Sequence, residues 1–238
     1  MDVDRFIKWF ERTLATPQWS RPRTWASLLR SSQKIDDPCP DVVGMASSKK
    51  LKLLNLAVSI LPNGGQEAYL EVGTYLGKSL VAATLGNSGR LVVGCDNFSE
   101  FATGSANNNY TVLQSNLAKY GLLDKIKFYD EDFQSLFQRW RTEGLPPIGV
   151  YFYDGAHDEE SQYRAIRYVE PLLADSALVI VDDWRWANDS RSYAETATRK
   201  AISGSQYQWE IRYILPARFN GDTEMWWNGV ALLTFRRS

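Results

Sequence analysis

Cysteine, histidine, uncompensated charge and long apolar runs are all scarce in this 238-residue chain. Its two cysteines, Cys39 and Cys95, stand far apart in sequence, so no disulfide framework is indicated and a reducing, cytoplasmic setting is expected. Lysine and arginine number 27 against 28 aspartates and glutamates, a net charge of -1, which argues against a nucleic-acid-binding surface. No window approaches the length of a membrane span, and the acidic start Met1-Asp2-Val3-Asp4-Arg5 does not read as a signal peptide. Internal repeats and low-complexity tracts are lacking too. Tryptophan is plentiful: nine are present, several in expected loops, where an aromatic face can line a pocket instead of filling a core.

At this length a single domain is the default. Residues 1–62 read as a helical cap. Phe6, Trp9, Phe10 and Leu14 have helical spacing, Trp25, Leu28 and Leu29 suggest a second short helix, and Asp36-Asp37-Pro38-Cys39-Pro40 breaks the chain before a helix over 47–61. Residues 63–238 read as the main binding domain. Apolar strand-like runs at 68–72, 91–95, 126–129, 149–153 and 177–181 alternate with helical patterns at 78–85, 108–120, 133–141 and 159–173. That alternation predicts an α/β fold with a doubly wound, Rossmann-like sheet of five parallel strands covered by helices on both faces. Two further β-like runs, 208–215 and 229–235, lack a helix between them and predict a closing antiparallel hairpin.

The stretch Ala68-Tyr69-Leu70-Glu71-Val72-Gly73-Thr74-Tyr75-Leu76-Gly77-Lys78-Ser79 joins a strand, a glycine turn and a helix start, and Asp96 closes the next strand. Glycines let a backbone approach a ligand, a helix N-terminus offers unpaired N–H groups, and an acid at the neighbouring strand tip accepts ribose hydroxyls. This is a recipe for holding a nucleoside. It is not the dinucleotide fingerprint, because Tyr75 stands where a second glycine is needed. It is not a Walker loop either, since Gly73 lies one residue too close to Gly77-Lys78-Ser79. A bare structural use of the glycines remains the alternative reading.

The acid-x-glycine-x-x-x-glycine pattern resembles the cofactor motif of class I S-adenosylmethionine-dependent methyltransferases, over most of residues 68–235. The resemblance implies that Glu71, Gly73, Thr74, Tyr75, Gly77 and Ser79 form the turn that faces the methionine part of the cofactor. It implies that Asp96 and its neighbour Asn97 serve the ribose. An acid after the third strand would approach the adenine amino group, with Asp132 beside Phe133 preferred and Asp130 second.

Further along, strand four ends in Tyr153-Asp154-Gly155-Ala156-His157 and strand five in Val181-Asp182-Asp183-Trp184. In a parallel sheet both tips reach the cofactor edge, so Asp154, Asp182 and Asp183 are expected to converge. Like charges crowded in a cleft call for a proton or a cation, and all-oxygen donors suit Mg²⁺. The arrangement is similar to metal-dependent O-methyltransferases of the catechol and caffeoyl-coenzyme A type. The Asp-Gly-Ala-His segment is similar to a bacterial branch that includes antibiotic-tailoring sugar O-methyltransferases. Ala174-Asp175-Ser176 departs from the Gly-Gly turn common before strand five, and Asp182-Asp183 departs from the plant and animal Asp-Asn pair. Helix capping is the competing role for Asp154 and Asp183.

His157, the sole histidine, follows Asp154 by three residues, an offset at which several relatives carry a lysine base. It is the expected general base, held neutral by a nearby cation and a helix N-terminus, with Asp154 beside it; a backbone-bonded histidine at a helix start is the alternative. Trp184, Trp186 and Trp226, with Trp227, Phe98, Phe101 and Tyr110, are expected around the acceptor, although buried packing or a homo-oligomer contact is open to any of them. The stretch 98–109 reads as a lid. The expected activity is methyl transfer from S-adenosylmethionine to a hydroxyl of a small molecule, assisted by Mg²⁺. A non-catalytic nucleoside-binding scaffold and a nicotinamide-dependent oxidoreductase are the competing classes.

Overall fold

The computed structural model describes residues 2–13, 36–100, 106–185 and 192–237. The expectations for Leu14, Trp25, Leu28, Leu29, Phe101 and Trp186 lie outside the described residues. Helix α1 (Val3–Thr13) buries Val3, Phe6, Ile7 and Phe10, one stripe at intervals of three and four. Helix α2 (Ser48–Ser59) starts at Ser47, whose hydroxyl accepts the N–H of Lys50 and donates to the carbonyl of Met225 at 2.6 Å.

Seven strands form one sheet: β1 (Ala68–Val72), β2 (Leu91–Asp96), β3 (Ile126–Asp130), β4 (Ile148–Tyr153), β5 (Leu173–Val181), β6 (Gln208–Leu215) and β7 (Val230–Arg236). Their spatial order is β3-β2-β1-β4-β5-β7-β6; β1 to β5 run parallel, and β7 lies antiparallel between β5 and β6. The alternation of side chains along each strand divides the core. Tyr69, Val92, Val150, Phe152, Leu178 and Ile180 face one way, packed with α1, α2, α3 (Lys78–Thr84) and α4 (Ala106–Lys119). Leu70, Val93, Tyr151, Val179 and Val181 face the other way, packed with α5 (Phe133–Thr142), α6 (Glu159–Val169) and α7 (Tyr193–Ser203). Every residue of β1 and β4 is buried, as expected for central parallel strands. Each large aliphatic chain so enclosed contributes about 1.5–3 kcal/mol.

Two expectations need correction. The helix over 159–173 stops at Val169; Pro171, which has no N–H, sits in a 3₁₀ turn (Glu170–Leu172), and β5 begins at Leu173 rather than at Ala177. Helix α7 was not foreseen. It buries only Ala194, Ala197, Thr198 and Ala201, a small-residue face that a search for large apolar residues passes over. No helix among the described residues is long and apolar enough to cross a membrane. Cys39 and Cys95 are both buried free thiols.

Candidate active site

Backbone hydrogen bonds carry the pairing of the central strands past their C-terminal ends. Gly73 N–H donates to Cys95 O at 2.9 Å, Asp154 N–H to Val72 O at 2.8 Å, and Asp182 N–H to Tyr153 O at 3.0 Å. The glycine turn, Asp154 and Asp182 therefore sit side by side on one edge, with Asp96 at the tip of β2. They open on a cavity of about 520 Å³. A second cavity of about 350 Å³ meets it at Asp154, His157, Asp182, Asp183, Asn220 and Asn228, and extends towards Tyr193 and Ala194.

The turn is built to let two backbones touch. Gly73 has φ +87°, and a Cβ there would lie 1.8 Å from the carbonyl oxygen of Asp154. Among the described residues, Tyr75, Phe98, Asp183 and Trp227 are the non-glycine positions with positive φ, and all four line the larger cavity. Backbone strain of this kind concentrates at functional sites. Asp96 accepts the N–H of Tyr75 and that of Phe98, each at 2.7 Å, one on each carboxylate oxygen. Burial raises its pKa, while the backbone N–H groups of Tyr75, Phe98 and Thr74 oppose the rise.

The remaining residues expected to hold a cofactor divide. Gly73, Tyr75, Asn97, Asp132 and Phe133 line the cavity. Asp132 also caps α5, accepting Gln134 N–H at 2.8 Å, whereas Asp130 lies within β3, paired in register with Asp96, and does not line it. Gly77, at φ +86°, opens α3. Glu71 is fully buried beneath the turn, where it accepts the hydroxyls of Tyr69 and Ser79, both at 2.6 Å. Burial pushes its carboxyl up to about 7 against the pull of those two hydroxyls. Glu71 and Ser79 thus brace the turn from below instead of facing a ligand, and Thr74 is buried there as well.

The acid cluster is assembled with partners the sequence did not suggest. Lys50, 1% exposed, pairs through Nζ with Asp182, donates to Met45 O at 3.1 Å and lies 3.9 Å from Asp154 Oδ2. Burial works against its ammonium, but Asp182, Asp154 and Asp183 outweigh burial and keep it charged. Among the described residues no hydrogen-bond partner meets the buried Oδ1 of Asp182, whose carboxyl lies beside that of Asp154. Burial raises the pKa of Asp154 well above the ordinary range, with the charge of Asp182 adding to it. One signal for Lys50 was present: it falls on the buried stripe of α2 with Leu51, Leu54, Ala57 and Val58.

His157 differs from expectation. Its Nε2 contacts Asp183 and its Nδ1 lies 3.1 Å from Glu100 Oε2. The hydrogen bond to Asp183 pushes its pKa up to about 9; partial burial opposes, and Glu100 adds to the rise. With a carboxylate at each nitrogen both ring nitrogens act as donors, so at neutral pH this is an imidazolium and not the neutral base expected. Burial pushes Asp183 up, but the hydrogen bond from His157 and the charge of Lys50 prevail and leave it low.

Asp154, His157 and Asp183 each offer an atom within 4.8 Å of the others, a spacing that fits one divalent cation. Asp182, expected as a third carboxylate ligand, instead faces Lys50. Trp184 and Trp226, expected beside the acceptor, are 0% and 1% exposed and packed in the two cores. Arg199 lies over Trp184, 5.8 Å from its ring centroid. Trp227 is the tryptophan that reaches the cavity, next to Asn228.

Residues 70–184 match a family model described as a methyltransferase domain. Residues 70–184 thus carry a methyltransferase domain, and the chain shares its fold with solved S-adenosylmethionine-dependent O-methyltransferases. An O-methyltransferase from Bacillus cereus, solved in complex with S-adenosylhomocysteine, superposes with a TM-score of 0.59 at 18% identity, covering 98% of this chain and 97% of that one. The O-methyltransferase TomG from Streptomyces achromogenes, involved in tomaymycin synthesis and solved in complex with S-adenosylmethionine, gives 0.58 at 16% identity, covering 100% of both chains. A protein from Corynebacterium glutamicum gives 0.58 at 14% identity, covering 95% of this chain and 97% of that one. Among curated protein sequences there is no match.

Proposed function

We propose that this protein transfers the methyl group of S-adenosylmethionine to a hydroxyl oxygen of a small molecule, assisted by a divalent cation such as Mg²⁺. The observation that carries the reading is the junction of two cavities at the acid cluster: one runs from Gly73 and Asp96 to Phe133, and the other offers room for an acceptor. The names of the two superposed O-methyltransferases support it.

S-adenosylmethionine supplies a methyl carbon activated by its sulfonium, and a divalent cation supplies a Lewis acid that lowers a hydroxyl pKa. Asp96 keeps acceptor capacity for the two ribose hydroxyls, and Asp132 with Phe133 forms the adenine end. Gly73 lets the methionine part lie against the junction of β1 and β4. Asp154, Asp183 and His157 would hold the cation, His157 releasing its ring proton as the cation enters. For the acceptor proton, Asp154 is the better placed group. It borders both cavities, within reach of an acceptor hydroxyl beside the cation. Before the cation enters, His157 bonds Asp183 and Glu100 and holds the Asp183 carboxylate in place. Asn220, Trp227 and Asn228 shape the acceptor side, and residues 1–62 contribute Met45 and Lys50 to the rim as a cap.

Calorimetric titration with S-adenosylhomocysteine tests the donor reading. Asp96→Ala should weaken binding at least tenfold, and Gly73→Ala should abolish it, because the added Cβ meets backbone that cannot move aside. Unchanged affinity in both would end the proposal. Methyl transfer to a hydroxyl panel, with and without chelator, tests the chemistry; full turnover in excess chelator would remove the cation from it.

A further inference from the structure

The acid cluster already contains a cation of its own. Lys50 enters it from α2, an element outside the strand tips that carry the acids, and α2 is anchored by the Ser47 hydroxyl bonds to Met225 O and Lys50 N. Lys50 is 1% exposed, and its partner Asp182 is 3% exposed. Buried pairs with such geometry are hard to separate, because removing either member leaves the other charged and out of water.

We infer that Lys50 is a positioning residue that takes the place of a metal ion at Asp182, so that a divalent cation entering the site draws on Asp154, His157 and Asp183 and not on Asp182. The inference rests on the cation-assisted reading above but concerns which donors are free. Two carboxylates and one imidazole make a weaker and less oxygen-rich donor set than three carboxylates, so affinity for hard cations is held down. The lysine thereby sets how strongly the enzyme depends on added metal. Lys50 makes a second contribution through the same contact: by binding Asp182 it holds the β5 tip in register beside Asp154.

Calorimetric titration of the full chain with MnCl₂, and separately MgCl₂, without cofactor, decides the matter. Asp182→Asn should shift Mn²⁺ affinity by less than about twofold, and Asp183→Asn should lower it at least tenfold. Lys50→Met, which releases Asp182, should raise affinity at least tenfold, and Mn²⁺ should lift its thermal midpoint more steeply than that of the wild-type chain. A Lys50→Met chain that is unfolded alone but refolded by Mn²⁺ supports the inference equally, as does acquisition of Mn²⁺ binding by this variant when the wild-type chain has none. A tenfold loss in Asp182→Asn, a Lys50→Met chain that binds Mn²⁺ no better than wild type, or one that Mn²⁺ does not refold overturns it. S-adenosylhomocysteine binding, measured on the same samples, reports on the donor reading separately.

Discussion

Glu71 and Asp182 are two acids in the same sheet, each cut off from solvent, and they are handled in opposite ways. Glu71, at the end of β1, is hydrogen-bonded by neutral hydroxyls from Tyr69 and Ser79, with the charge of Lys50 a weaker influence. Asp182, at the tip of β5, is met by the ammonium of Lys50. Two hydroxyls moderate the cost of a buried carboxylate without removing it, so the proton affinity of Glu71 climbs towards neutrality. An ammonium opposes with a full charge the rise that burial imposes on Asp182, though burial still prevails, and the pair forms a dipole in the wall of the site. The first arrangement suits a brace that can be neutral. The second suits a site where charge must stay in place.

Breaking the charged half of this comparison should cost most. Lys50→Met leaves Asp182 ionised without a partner and Asp154 without its nearest cation, and should lower stability by about 3–5 kcal/mol in urea unfolding without added metal. Recovery of most of the loss in Lys50→Met/Asp182→Asn would show that the unpaired charge, and not lost packing, was responsible.

The neutral half responds through pH. The folded pKa of Glu71 is raised from 4.5 to about 7, so the folded chain binds more protons than the unfolded chain between those values. Its contribution therefore favours folding at low pH and is lost as pH rises through about 7. Glu71→Gln should match wild type near pH 4.5 and exceed it by roughly 3 kcal/mol at most above pH 7. A constant difference across pH would show that Glu71 is ionised throughout. Ser79→Ala should cost less, about 1–2 kcal/mol, with the loss greatest where Glu71 is ionised.

The smallest effect is a titration. As the one imidazole in the chain, His157 gives an unambiguous nitrogen NMR signal. Without added cation its midpoint should fall near pH 9. It should drop towards 6.5 in Asp183→Asn, where the leading cause of the shift is gone. Its stabilising effect is full below about pH 6.5 and disappears as pH passes 9, the reverse of the sign expected for a neutral base. A wild-type midpoint near 6.5 would restore His157 as the proton acceptor.

Much of the scaffold was legible because it rests on short-range patterns. Continuous apolar runs such as Val150-Tyr151-Phe152 mark buried parallel strands, and the tight turn at Gly73 is legible in residue type and spacing. The site was less legible wherever a partner came from far along the chain. Lys50 and Asp182 are 132 positions apart, and only the misfit of a lysine on an apolar helix face hinted at the pair. Glu100 reaches His157 across 57 positions, which turned an expected base into a cation. Trp184 and Trp226 misled because position after a strand says nothing about which way a large side chain turns. Helix α7 escaped because alanines and a threonine form its inward face.

Strand β7 stands inside the sheet although it follows β6 in the chain. The strand partner of residues 208–215 is residues 230–236, which on their other side pair with residues 173–181. β6 therefore joins the sheet only through β7, the strand that links the outer edge to the parallel core. A nascent chain halted between the two segments would leave the flank of β5 bare, a ready docking edge for a stray strand from a neighbouring polypeptide.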